Sequence, residues 1–195
     1  MAARAATRRL IALVATVVLL TAVVGYAGWV VVYQLGGQVT EVQPPVYFAG
    51  GTNNGTTGLG GGTIYVDLGP NQTSATVYFN VTYGTTWVID LLNITNSDTT
   101  TYYGKLCVAT PISSATGVVS SAYAIVVDPT TNTVVGYVDL LTAGACTATF
   151  TIPAGGNLTV DFNTTLSEGT QLDTAPLSFT LTLQYSAENP VPTTP

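Results

Sequence analysis

The chain has no histidine, one methionine, two cysteines and only 7% charged residues in 195 positions. Each scarcity closes off a class of function. Without histidine there is no imidazole to act as a general base near neutral pH, which removes the Ser-His-Asp and Cys-His arrangements. A zinc or copper site would lack its commonest nitrogen ligand. The charged fraction is far below the roughly 25% of an average soluble domain, so ion-pair networks have little to build on. Positive charge is scarcest of all. Arg4, Arg8 and Arg9 are followed by a single further basic residue, Lys105. All ten acidic residues lie from Glu41 onward, leaving the chain beyond the N-terminal segment with about nine net negative charges. Such a surface repels phosphate backbones, and no nucleic-acid partner is expected.

The groups that remain offer little chemistry. A Ser–Lys pair would have to use Lys105, which follows Gly104 in an expected strand with no motif around it. Leu172-Asp173-Thr174-Ala175 has the form of an aspartic-protease triplet, but such a site needs two facing carboxylates. The plainer reading is a turn before the last strand. An isopeptide crosslink from Lys105 has no partner that the sequence locates. Calcium needs only oxygen ligands, and Asn96 with Asp98, or Asp90 with Asp139, supply some, without a recognisable ligand spacing. No catalytic residue, metal ligand set or cofactor is expected, and the chain is not read as an enzyme.

What is present begins with an export segment. Met1–Arg9 is basic and small, and Leu10–Val24 is apolar apart from Thr16 and Thr21. These are the n-region and h-region of a secretory signal, and Gly25-Tyr26-Ala27 gives a small-x-small cleavage pattern before Gly28. Apolarity then resumes at Trp29. Read as one helix, Leu10–Leu35 is long enough to span a bilayer or to pack as a pilin-type helix in a filament core. The preferred reading is a cleaved signal followed by a strand. Trp29, Val31, Tyr33 and Leu35 alternate with Val30, Val32 and Gln34, the types are β-branched and aromatic, and Gly36-Gly37 ends the run. The expected organisation is a signal peptide over 1–27, an N-terminal strand and linker over 28–43, a β-domain over 44–187 and a Pro/Thr tail over 188–195.

From Val46 on, apolar and polar residues alternate, and turn clusters recur at sandwich-like spacing. Strands are expected at Val46–Ala49, Thr63–Leu68, Ala75–Tyr83, Thr86–Thr95, Thr101–Ala109, Val118–Val127, Thr133–Leu141, Cys146–Ile152, Leu158–Asn163 and Leu177–Tyr185. Asp128–Asn132 reads as a hairpin turn and Gly50–Gly62 as a surface loop. The fold class is all-β, a jelly-roll or Ig-like β-sandwich, and pattern alone does not separate the two. Cys107 and Cys146 read as one disulfide in an exported protein, with two buried free thiols as the alternative. A bridge closing that loop stabilises by roughly 3–4 kcal/mol on the chain-entropy argument. N-x-S/T triplets at Asn54, Asn71, Asn80, Asn93, Asn157 and Asn163 are candidate N-glycosylation sites.

A resemblance enters on particular segments. They are the apolar strand just past the signal; Pro44-Pro45-Val46-Tyr47-Phe48 leading into a Gly-rich loop; Ile89–Ser97 as a strand ending in Asn-Ile-Thr-Asn-Ser; and Phe150–Val160, a strand, a Pro-x-Gly turn and a second strand. With these, the chain resembles the TasA/camelysin-type matrix fibre subunits, in the style of the archaeal bundling pili. The resemblance spans Gly28–Tyr185. It implies a jelly-roll subunit of an extracellular filament, a pilus or biofilm matrix fibre. In such a polymer the N-terminal strand of one subunit, here carrying Trp29, Val31, Tyr33 and Leu35, completes a sheet in the next. The partner is then a second copy, head to tail, and the membrane matters only during export or through an uncleaved N-terminus. The alternatives are a type IV-like pilin with a retained helix, or a membrane-anchored or S-layer-associated binding module.

Overall fold

The computed structural model describes residues 43–57, 63–81, 84–112, 119–167, 177–189 and 191. Ten strands run through them: β1 (Val46–Gly50), β2 (Tyr65–Leu68), β3 (Ser74–Phe79), β4 (Thr85–Asn96), β5 (Tyr102–Thr110), β6 (Val119–Asp128), β7 (Thr133–Asp139), β8 (Phe150–Ile152), β9 (Asn157–Leu166) and β10 (Leu177–Ser186). Each falls where alternation predicts it. A strand with one face buried prints a period of two in the sequence, and β9 and β10 keep that alternation of buried and less buried residues over most of their length. The eighth strand is shorter than expected. Only Phe150–Ile152 pairs regularly with β5, preceded by an isolated bridge at Cys146.

The strands form two five-stranded antiparallel sheets, β1-β4-β9-β6-β7 and β2-β3-β10-β5-β8. The pairing is nested. β6 pairs with β7, β5 with β8, β4 with β9 and β3 with β10. That is one long ribbon folded back on itself at the β6–β7 turn. The contacts β6–β9 and β5–β10 then roll the ribbon into a sandwich. Nested pairs followed by rolling define a jelly roll, so the strand order decides between the two sandwich types left open by the pattern. β1 and β2 are additions that widen each sheet by one strand.

The turn at the ribbon's tip has the chemistry expected of it. Asp128 Oδ1 accepts the Thr130 N–H at 2.8 Å, and Asn132 takes a left-handed φ of 54°. Between the sheets lies an apolar core with Phe79, Phe162 and Phe179 at its centre, their ring centroids 5.2 to 6.3 Å apart. Two of the three ring pairs, Phe79–Phe179 and Phe162–Phe179, are edge-on or tilted, the favourable arrangement for aromatic quadrupoles. Phe150 closes one end of the core. Its ring lies over Gly104 on β5, where a Cβ would stand 2.9 Å from it, and near Gly136 on the facing sheet. Val191, in the segment read as a tail, is buried.

Candidate functional site

Cys107 and Cys146 are joined in a disulfide. Its placement follows from the ladder. Val108 N–H donates to Ala145 O and Thr147 N–H to Leu106 O, at 2.8 and 2.9 Å. These bonds flank the cysteines, so the pair sits at a non-hydrogen-bonded position, where strands come closest, and the Cα atoms are 4.1 Å apart. Cys107 is buried and Cys146 exposed. The bridge pins the stretch before β8, which has little regular pairing of its own, onto β5.

The expected calcium pairs do not form ligand sets. Asn96 is buried, and its Nδ2 donates to Thr100 O and Pro153 O while its Oδ1 accepts the Asp98 N–H. Asp98 in turn accepts from Tyr102 Oη at 2.9 Å, and that hydrogen bond, with the Thr99 N–H, holds its carboxyl below the usual range. The pair is a turn lock. Asp90 and Asp139 lie on β4 and β7 with β9 and β6 between them, about 14 Å across at normal strand spacing. Among the described residues no group of three or more acidic or cysteine side chains converges as a metal site.

Asp90 does something the sequence does not announce. It has a φ of 46° in the middle of β4, inside a bulge where Ile89, Asp90 and Leu91 fall between the Val88–Phe162 and Leu92–Val160 pairs. Its N–H donates to Asp161 Oδ1 at 2.8 Å, its carbonyl accepts the Asn53 N–H at 3.1 Å, and its Oδ2 accepts the Thr52 hydroxyl. Gly51 is required beside it, because any Cβ there would stand 2.1 Å from Asp90 O. The bulge thereby fixes the start of the Gly-rich loop to the sheet. Burial, countered by the Asp90 N–H and reinforced by the Asp90 charge, pushes the Asp161 carboxyl above its usual range.

The outer face of the sheet β1-β4-β9-β6-β7 is the feature sequence reasoning missed. Trp87, Ile89, Tyr123, Val134 and Tyr137 are each 38–67% exposed, and all five lie on it. Registers arrange them in rows. Trp87 stands opposite Asn163, which stands opposite Tyr123. Ile125 stands opposite Tyr137, and Val127 opposite Val134. The central strand β9 runs between them as a polar stripe of Asn157, Thr159, Asp161, Asn163 and Thr165. A shallow cleft of about 300 Å³ adjoins Trp87, lined also by Asn53, Thr56, Asn80, Thr86 and Ile89. A signal was available: β4 is apolar at Val88 and also at Trp87 and Ile89. A half-exposed strand should be polar on one parity.

The two rims of this sheet differ. On β1, the Phe48 N–H points outward and donates to Gln72 O at 2.6 Å, so the chain itself covers that rim. On β7, the Leu140 N–H donates to Ala122 O, which fixes the phase of the ladder. The main-chain groups of Tyr137 and Asp139 therefore point away from β6, toward the side where, among the described residues, β7 has no neighbouring strand.

The remaining expected sites divide as follows. Trp29, Val31, Tyr33 and Leu35 lie outside the described residues, as does the Asp173 triplet. Of the sequon asparagines, Asn54 uses its Oδ1 to accept the Val66 N–H, and Asn93 has its Oδ1 buried. Asn71 and Asn157 are exposed, and Asn80 and Asn163 are half-exposed. Lys105 lies opposite Gln184 in the β5–β10 ladder. No protein-family model and no curated protein matches the chain.

Proposed function

We propose that the chain is a structural subunit of an extracellular filament, polymerised head to tail by its N-terminal strand, Trp29–Leu35. The observation that carries the reading is the open rim at β7, whose outward main-chain groups at Tyr137 and Asp139 have the form that strand addition needs. The alternation of Trp29, Val31, Tyr33 and Leu35 supplies the complementary strand. Such a strand left unpaired after export would be an aggregation hazard; paired with a neighbour it is an adhesive. The contact is heterologous, so repetition yields an open filament. Burying the four side chains contributes roughly 6–10 kcal/mol before ordering costs. A disulfide suits an oxidising, extracellular location. The sequence resemblance to TasA/camelysin-type fibre subunits points the same way.

The N-terminal residue of the mature protein, read by mass spectrometry, separates this reading from its rivals. A start at Gly28 is expected. A start near Leu10 would favour a pilin with a retained helix, and an intact Met1 a membrane anchor. Deleting Trp29–Leu35 is expected to leave folded monomers that no longer polymerise. Normal polymerisation of that variant would reject the proposal.

A further inference from the structure

The outer face of the β1-β4-β9-β6-β7 sheet exposes Trp87, Ile89, Tyr123, Val134 and Tyr137, and its centre is a sequon. Asn163-Thr164-Thr165 lies on β9, the middle strand of the five. Asn163 is flanked on one side by Trp87 and on the other by Tyr123. The Leu166 N–H donates to Gly84 O, which makes Trp87–Asn163 a non-hydrogen-bonded pair, where side chains of neighbouring strands stand closest. Among the described residues, no hydrogen bond from the protein ties the Asn163 amide down, unlike that of Asn54. Thr165, which completes the sequon, is half-exposed on the same face as Asn163.

We infer that Asn163 carries an N-linked glycan whose first sugar lies on the Trp87 and Tyr123 rings. The chemistry needs a lipid-pyrophosphate-linked oligosaccharide and a membrane oligosaccharyl transferase. Asn163 Nδ2 attacks the anomeric carbon, the bond from that carbon to the pyrophosphate oxygen breaks, the lipid pyrophosphate leaves with the electron pair, and the amide gives up one proton to solvent. Pyranose C–H groups are weakly polarised and pack on the electron-rich face of an indole or phenol, and their hydroxyls face water. The sugar thus covers an apolar patch that a soluble filament would otherwise leave bare. It leaves the β7 rim open, because Asn163 stands two strands in from it. The inference rests on the export proposed above.

The test uses the protein recovered from the surface of the cells that make it. Chymotryptic peptides are sequenced by mass spectrometry with fragmentation that preserves glycans. The peptide holding Asn163 is expected to be heavier by a saccharide. Thr165→Ala should remove the added mass, and Thr165→Ser should keep it. In the intact glycoprotein, ring protons of the first sugar should resonate upfield, and Trp87→Ala should return them to ordinary positions. A bare Asn163 in surface protein overturns the inference, including the case where sugar sits only on Asn71, Asn80 or Asn157, or where a second copy covers the face. Sugar protons at ordinary shifts would overturn the stacking. Protein found only in the cytosol would instead reject the export on which the inference rests.

Discussion

The two outer faces of the sandwich are built on similar strands and carry opposite surfaces. On the β2-β3-β10-β5-β8 side, Ser178, Thr180, Thr182 and Gln184 of β10 stand beside Ser74 and Thr76 of β3. Thr76 and Thr180 place their hydroxyls 3.1 Å apart. Tyr65 and Tyr78 are stacked at one end, with centroids 4.5 Å apart. On the other side, Trp87, Ile89, Tyr123, Val134 and Tyr137 flank a single polar strand. The inner faces of the two sheets are alike, mostly apolar, with a few buried polar side chains such as Thr86 and Thr164. Stability therefore accounts for the inner faces, and solubility for the hydroxyl-rich outer one. Neither accounts for the aromatic outer one. A surface that serves neither end is where contact or modification belongs.

The largest expected effect tests the contrast between inner and outer faces on neighbouring strands. Phe162→Ala removes a fully buried ring at the centre of the core and is expected to cost about 3–5 kcal/mol in urea unfolding. Trp87→Ala, one register step away but facing outward, is expected to cost less than about 1 kcal/mol. A Trp87 cost near that of Phe162 would mean the aromatic face is part of the core, and the contrast would collapse.

Next in size is the disulfide. Replacing Cys107 and Cys146 by serine is expected to lower stability by roughly 3–4 kcal/mol and to free the stretch before β8, measured as faster hydrogen exchange around Thr147. It leaves the Trp87 face untouched, because Cys107 stands opposite Thr182 on the other outer face. A matching change in exchange on the Trp87 face would show that the two outer faces are coupled.

Asp161 gives a smaller effect, restricted to the aromatic face. Its carboxyl is raised by burial, so the folded protein holds this proton to a higher pH than the unfolded chain does. The stability it contributes is present below the unfolded pKa and is lost as pH rises through the folded one. Asp161→Asn keeps an acceptor for the Asp90 N–H and removes that charge. The variant should melt higher than the parent at pH 7, and the advantage should vanish in acid. An advantage that grew in acid would contradict the assignment. Smallest of all, Thr76→Val on the hydroxyl face is expected to change stability by less than about 1 kcal/mol. It should also leave any self-association unchanged.

Much of the fold was legible because antiparallel strands with one buried face alternate visibly, as Leu177–Ser186 does. The turn at Asp128–Asn132 was legible because its residues have local reasons to be there. The choice of jelly roll was not, since it depends on β3 meeting β10 and β4 meeting β9, pairings made across long stretches of chain. The Asp90 bulge was hidden because its left-handed backbone depends on Gly51 and Asp161, which are remote in sequence. The cysteine pairing was readable, but its position on the ladder was not. The aromatic face was hidden for another reason. In Thr86–Ile89 both parities hold large apolar residues, and alternation cannot say which of them meets the core. Trp29–Leu35 lies outside the described residues, so its role rests on its own alternation and on the open rim it would meet.

That rim gives the most direct measurement. In Tyr137→Pro the lost N–H is one that points away from β6, so proline is tolerated on this terminal strand while strand addition loses a donor. Tyr137→Thr keeps the N–H and removes only the ring. Sedimentation of the mature full-length proteins should show filaments for the parent and for Tyr137→Thr, and folded monomers for Tyr137→Pro. Filaments of Tyr137→Pro forming as fast as those of the parent would contradict strand addition at β7.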